Sequence, residues 1–136
     1  MKSITALVLT LFITTSVFGQ DKMKHFGKKI YLDKMPITLN TAAFMAFEVS
    51  TASYTHIKKA QRLRNWNYFW AVIGGYELGA GLATAAGGGS NSQIAWLDVG
   101  IGAVCIGIIP GREERYKMHL REAVELYNDA LELPEN

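Results

Sequence analysis

Glu77 and Asp98 are the only acidic residues between positions 67 and 110, a stretch that has no Lys or Arg and is rich in Gly, Val, Ile and Leu. An acid in such surroundings suits one of two roles. It can pass a proton or cation through an apolar layer, the usual reason an ionisable group is retained there. It can also rest protonated or hydrogen-bonded, Glu77 on Thr84, Tyr76 or backbone and Asp98 as a cap near a helix start. The second reading is preferred. Both residues are candidate intramembrane acids, and an antiparallel hairpin turning near Gly89 leaves them not quite level.

Other chemistry finds little footing. The chain has no P-loop, HExxH, CxxC, GxSxG or calcium-loop pattern. Gly79-Ala80-Gly81 and Gly100-Ile101-Gly102 begin a dinucleotide fingerprint, but Thr84 and Cys105 stand where its third glycine belongs. His25, His56 and His119 are scattered through polar stretches without ligand spacing and read as surface histidines. Cys105, alone of its kind, lies in an apolar run and reads as a small buried hydrophobe. The expectation is a non-enzyme with no catalytic, cofactor-binding or metal-binding residues and no cofactor.

The elements that hold Glu77 and Asp98 are set out by charge and hydropathy. Residues 1–19 carry Lys2, a short apolar stretch and Val17-Phe18-Gly19, the pattern of a secretory signal peptide cleaved before Gln20. Residues 20–66 form a basic region, with nine Lys/Arg against three acids from position 21 onward. A helix is predicted there from an N-cap at Asn40 or Thr41 to about Arg64, with Phe44, Phe47, Tyr54 and Ile57 along it. Pro36 breaks whatever precedes, and KKIYLDK reads either as a short strand or as extended chain. Residues 112–136 form an amphipathic helix after the breaker pair Pro110-Gly111, with Tyr116, Leu120, Ala123, Val124, Tyr127 and Leu131 on its apolar face.

Between them, residues 67–111 read as a Gly-rich apolar helical hairpin, giving an all-α fold with flanking amphipathic helices. Tyr68–Ala86 and Ile94–Pro110 would span roughly 28 and 26 Å as helices, against about 30 Å of hydrocarbon. Five strongly apolar residues in the first run contribute about −1.5 to −3 kcal/mol to insertion, nearly cancelled by about +2.5 to +3.5 for a central Glu77. Eight in the second contribute about −2.4 to −4.8 kcal/mol, so the second run inserts readily and the first with help from its neighbour. Ala71, Gly75, Gly79, Ala83 and Gly87 recur at every fourth position, as do Ala95, Ala103, Gly107 and Gly111 around Val99. That period predicts a seam where the helix backbones approach closely. Trp66, Tyr68, Phe69, Trp70 and Trp96 fit interfacial aromatics, and Lys58, Lys59, Arg62 and Arg64 fit either anionic headgroups or a solvated basic face.

The signal ending in Gly19-Gln20, the paired Gly-rich runs and the closing AVELYNDAL (Ala123–Leu131) resemble small exported membrane proteins of Bacteroidota-type bacteria. The seam is similar to the glycine zippers of envelope proteins, a resemblance that implies helix association and nothing catalytic. The expected role is a non-enzymatic cell-envelope protein, with membrane lipid and a second copy or another envelope protein as partners and no nucleic acid. A small transport subunit using Glu77 and a soluble exported binding protein in the periplasm are the alternatives. A cleaved signal puts the basic head outside, against the positive-inside bias. That points to an outer membrane or to a hairpin packed within protein.

Overall fold

The computed structural model describes residues 21–88 and 92–132; the expected signal peptide and the centre of the Gly-rich turn lie outside them. The chain is mostly helical, as expected, with a small sheet in addition. Strands β1 (Met23–Phe26), β2 (Lys29–Leu32) and β3 (Met35–Ile37) form an antiparallel meander in the order β1-β2-β3. Met23 pairs with Leu32 and Ile30 with Ile37, so these four side chains share the face turned to the core, while Lys24 and Pro36 are exposed. Pro36 is accommodated because β3 is an edge strand, where a missing N–H removes no obligatory ladder bond.

Both connections are two-residue hairpin loops. Gly27 takes φ 60° in the first, and Asp33 and Lys34 take φ 42° and 74° in the second. Positive φ at both central residues is the type I′ arrangement, which matches strand twist but penalises a side chain at Lys34. Lys34→Gly is therefore expected to stabilise the head by about 1 kcal/mol, read as a higher midpoint of chemical denaturation. Lys34→Val should lower it.

Helix α1 (Leu39–Val49) starts at Thr38, whose hydroxyl accepts from the Thr41 N–H at 3.1 Å, two to three residues before the predicted cap. The single helix expected through Arg64 is two. Ser50 is extended (φ −151°, ψ 109°), ending α1 and capping α2 by accepting from the Ser53 N–H. Phe44 and Phe47 face outward as a result, and α1 buries the small face Leu39, Ala42, Ala43 and Ala46 instead.

Helix α2 (Thr51–Ala86) runs 36 residues, about 54 Å, straight through the expected boundary at residue 66. Helices α3 (Ser92–Gly107) and α4 (Ile109–Glu132) return beside it. Pro110 does not separate them as predicted. It sits in the first turn of α4, where its missing N–H is harmless, and Ile108 N–H donates to Val104 O while Arg112 N–H donates to Ile108 O. The two form a nearly continuous rod.

The core lies wholly in the head, between the sheet, α1, the first half of α2 and α4. Tyr127, Met23, Ile30, Ile57 and Leu120 are fully buried within it. Its polar contacts fix register: Ser53 Oγ donates to Ala123 O (2.7 Å), and Tyr116 Oη donates to Lys28 O (3.0 Å). Asn128 accepts from Met23 N–H (2.9 Å) and donates to Met23 O (2.8 Å), a side chain standing in for a strand partner. Lys28 reaches Glu113 at 2.7 Å and holds that carboxyl below its ordinary range.

Candidate membrane arm and its basic collar

Beyond Leu63 on α2 and Tyr116 on α4 the burial pattern inverts. The arm made by the second half of α2 and by α3 turns its large apolar side chains outward. Val72, Tyr76, Ile94, Trp96, Leu97, Ile101 and Val104 are all more than half exposed. The rod Ile94–Glu132 is, among the described residues, the one helix long and apolar enough to cross a membrane. Only 17% of its apolar window is buried, which separates it from the core helix of a soluble domain. Contiguous apolar surface of this extent marks contact with lipid or protein.

Inside the arm the helices meet at glycines other than those the sequence spacing singled out, although Ala95 and Val99 of the second stripe do lie at the contact, against Gly81. A Cβ on Gly102 would stand 2.6 Å from the Leu78 nitrogen and 2.7 Å from Gly74 O; one on Gly81 would stand 2.8 Å from Ala95 O. Gly74 meets Cys105 Cβ and Gly102 O at 2.9 and 3.0 Å in the same sense. The expected seam residues Ala71, Gly75, Gly79, Ala83, Gly87, Ala103 and Gly107 are instead exposed, and Gly75, Gly79 and Gly107 face open space. Helical geometry explains the difference. A step of four residues advances about 40° around a helix, so a stripe at every fourth position winds away from its partner within a few turns. A step of seven drifts only about 20°. Gly74 and Gly81 are seven apart, and so are Ala95 and Gly102. Cys105 is buried in this seam.

The two acids are not brought together. Gly81 lies against Ala95 and Val99, and Leu78 against Gly102, which sets Asp98 more than a turn nearer the tip than Glu77. Both are half-buried. Thr84, proposed above as a donor to Glu77, spends its hydroxyl on Ala80 O at 2.9 Å. Asp98 lies six residues into α3, too far along to cap it.

At the root of the arm, cations and aromatic rings form a collar. Lys59, Arg62, Arg112 and Arg115 line a cavity of about 490 Å³ with Leu63, Trp66, Trp70 and His119. A second recess of about 430 Å³ carries Lys28, Lys29 and Arg64 beside Tyr68. Trp66 stacks on Trp70 at 6.3 Å, and Phe69 packs edge-on to both at 5.3 and 5.5 Å. Arg112 Nε donates to Asn67 Oδ1 (3.1 Å), joining α4 to α2 where the collar begins. The sequence placed Lys59, Arg62, Arg64 and the aromatic cluster here; Lys58, expected with them, lies instead over the Tyr54 ring. The sequence did not place Arg112 and Arg115, which belong to the acid-rich tail and join the collar only because α4 returns antiparallel.

Compared with known proteins, the chain matches no protein family, no curated protein and no solved structure.

Proposed function

We propose that the chain is a non-enzymatic membrane protein whose α2–α3 arm enters the bilayer and whose sheet-and-helix head rests on the surface. The observation that carries this reading is the inversion of burial at one level of the molecule, with a ring of cations and indoles at that level. Below it most large apolar side chains pack into one core, with Phe26, Met35, Phe44 and Phe47 as exposed exceptions; above it, among the described residues, there is no such core and the large side chains face outward. The arm from Tyr68 to Ala86 is about 28 Å long, close to the thickness of a hydrocarbon core of about 30 Å. Each helix satisfies its own backbone, as the hydrocarbon requires. The head-side collar suits anionic headgroups, each nearby Lys or Arg adding about 1 kcal/mol. Export to the cell envelope, suggested by residues 1–19, belongs to the same reading, and so does association with other envelope proteins.

Single-tryptophan variants reconstituted into vesicles test it through quenching by lipids labelled at known depth. Trp66 and Trp70 are expected to be quenched at the headgroup level on the head side. Trp96, near the tip, should sit about a turn below the opposite headgroups. Three tryptophans indifferent to lipid quenchers would discard the reading and leave a soluble protein with an open apolar arm.

A further inference from the structure

His56, His119 and Glu122, each half-buried at the head-side edge of the collar cavity that His119 also lines, converge on one point. His56 comes from α2, and His119 and Glu122 come from successive turns of α4. The two helices are held beside each other by fully buried Ile57, Ala60, Leu120 and Ala123 and by the Ser53–Ala123 hydrogen bond. The two Nδ1 atoms lie 3.3 Å apart, and Glu122 Oε2 lies 2.7 Å from His56 Nδ1 and 3.4 Å from His119 Nδ1. Two imidazole nitrogens aimed at each other and at a carboxylate oxygen form a poor set for hydrogen bonding alone, since donors and acceptors must be shared among three atoms. They form a good set for a cation.

We propose that these three residues bind a divalent transition-metal ion, with Zn²⁺ as the representative ligand. Bonds of about 2.0–2.1 Å in a tetrahedral site place ligand atoms about 3.3–3.4 Å apart. Two of the three separations already have that value. The third needs the Glu122 carboxylate to swing back by about half an ångström, a small change for a flexible side chain. Two imidazoles and one carboxylate favour Zn²⁺, Co²⁺, Ni²⁺ or Cu²⁺ over Mg²⁺ or Ca²⁺, which prefer oxygen. Three protein ligands leave a fourth position for water or an anion. Lys59 and Arg115, one turn from His56 and His119, bring positive charge close to the site and weaken its hold on a cation. The bound ion ties α2 to α4 directly beneath the arm.

The test uses the full chain in detergent micelles, titrated with Zn²⁺ by calorimetry and with Co²⁺ by visible absorption. The expected result is one ion per chain, the strong visible bands of four-coordinate Co²⁺, and Zn²⁺ absorption-edge structure showing two imidazole ligands. His56→Ala and His119→Ala should each weaken Zn²⁺ binding at least tenfold and Glu122→Gln less, while His25→Ala leaves it unchanged. A folded wild-type chain that takes up no stoichiometric Zn²⁺ overturns the proposal. So does uptake that survives both histidine substitutions, or an edge spectrum without two imidazoles, a readout that does not depend on how the variants fold.

Discussion

Gly102→Ile is expected to prise the arm apart, whereas Gly79→Ile should leave it intact. At Gly102 the first added carbon meets backbone, the Leu78 nitrogen and Gly74 O, and neither can yield by changing rotamer. The helices must separate along the seam, losing contacts on both sides of the insertion. Overpacking of a close-packed site costs about 1–3 kcal/mol, more where only backbone movement relieves it. At Gly79 the added side chain enters open space, and a more apolar residue favours insertion. Thermal unfolding and limited proteolysis in micelles should show a large loss for Gly102→Ile and for Gly74→Ile, and wild-type behaviour for Gly79→Ile and Gly75→Ile. Equal damage at Gly79 and Gly102 would place the working seam on the outer stripe, as between two copies of the chain.

The contrast shows what the sequence could and could not disclose. That the glycines are there to bring helices together was legible, because so many of them in a helix are otherwise unfavourable. Which glycines was not, since both runs carry several overlapping registers and the four-residue one is the most regular. The face of α4 was legible in full. Tyr116, Leu120, Ala123, Val124 and Tyr127 are buried and Leu131 packs against them, because a single amphipathic stripe leaves no competing register. The sheet was half-legible: its strands are three or four residues long, too short for alternation to stand out, and Pro36 lies inside one of them. Ser50 gave no strong sign of ending a helix, yet its extended backbone turns two aromatic residues of α1 outward.

The cluster of His56, His119 and Glu122 was illegible for a different reason. His119 and Glu122 are three apart on one helix, a spacing that does bring side chains together. His56 lies 63 residues earlier, and only the antiparallel register of α2 on α4 places it opposite. That register is fixed by Ala60, Ala123 and the Ser53 hydrogen bond, where small or short side chains allow the helices to close up. Pairing information of that sort is spread over the whole helix interface and belongs to no motif. The collar follows the same logic, with Arg112 and Arg115 recruited from a tail whose overall charge is negative.

Ile101→Lys combined with Val104→Lys should release the protein from the membrane without unfolding its head. Both side chains point away from the seam, 53% and 64% exposed, near the middle of α3. Were the arm in water, two lysines there would touch nothing and change stability by no more than about 0.5 kcal/mol each, as surface substitutions do. In a bilayer each ammonium near the helix centre costs about 2.5–3.5 kcal/mol, and loss of the replaced Ile or Val adds a few tenths. The pair therefore opposes insertion by about 6–8 kcal/mol, a shift of roughly four to six powers of ten in partition. Snorkelling of the long lysine stems relieves part of this, but from mid-helix the route to either surface is longest. Met118→Lys, equally exposed in kind but placed on the head, is the control and should have no effect. The measurement is the fraction of chain retained with membranes through alkaline carbonate extraction, with circular dichroism and urea denaturation reporting on the head. Retention of the double variant at the wild-type level would mean that the outward face of α3 meets protein or water, and the arm would have to be reassigned as a docking surface.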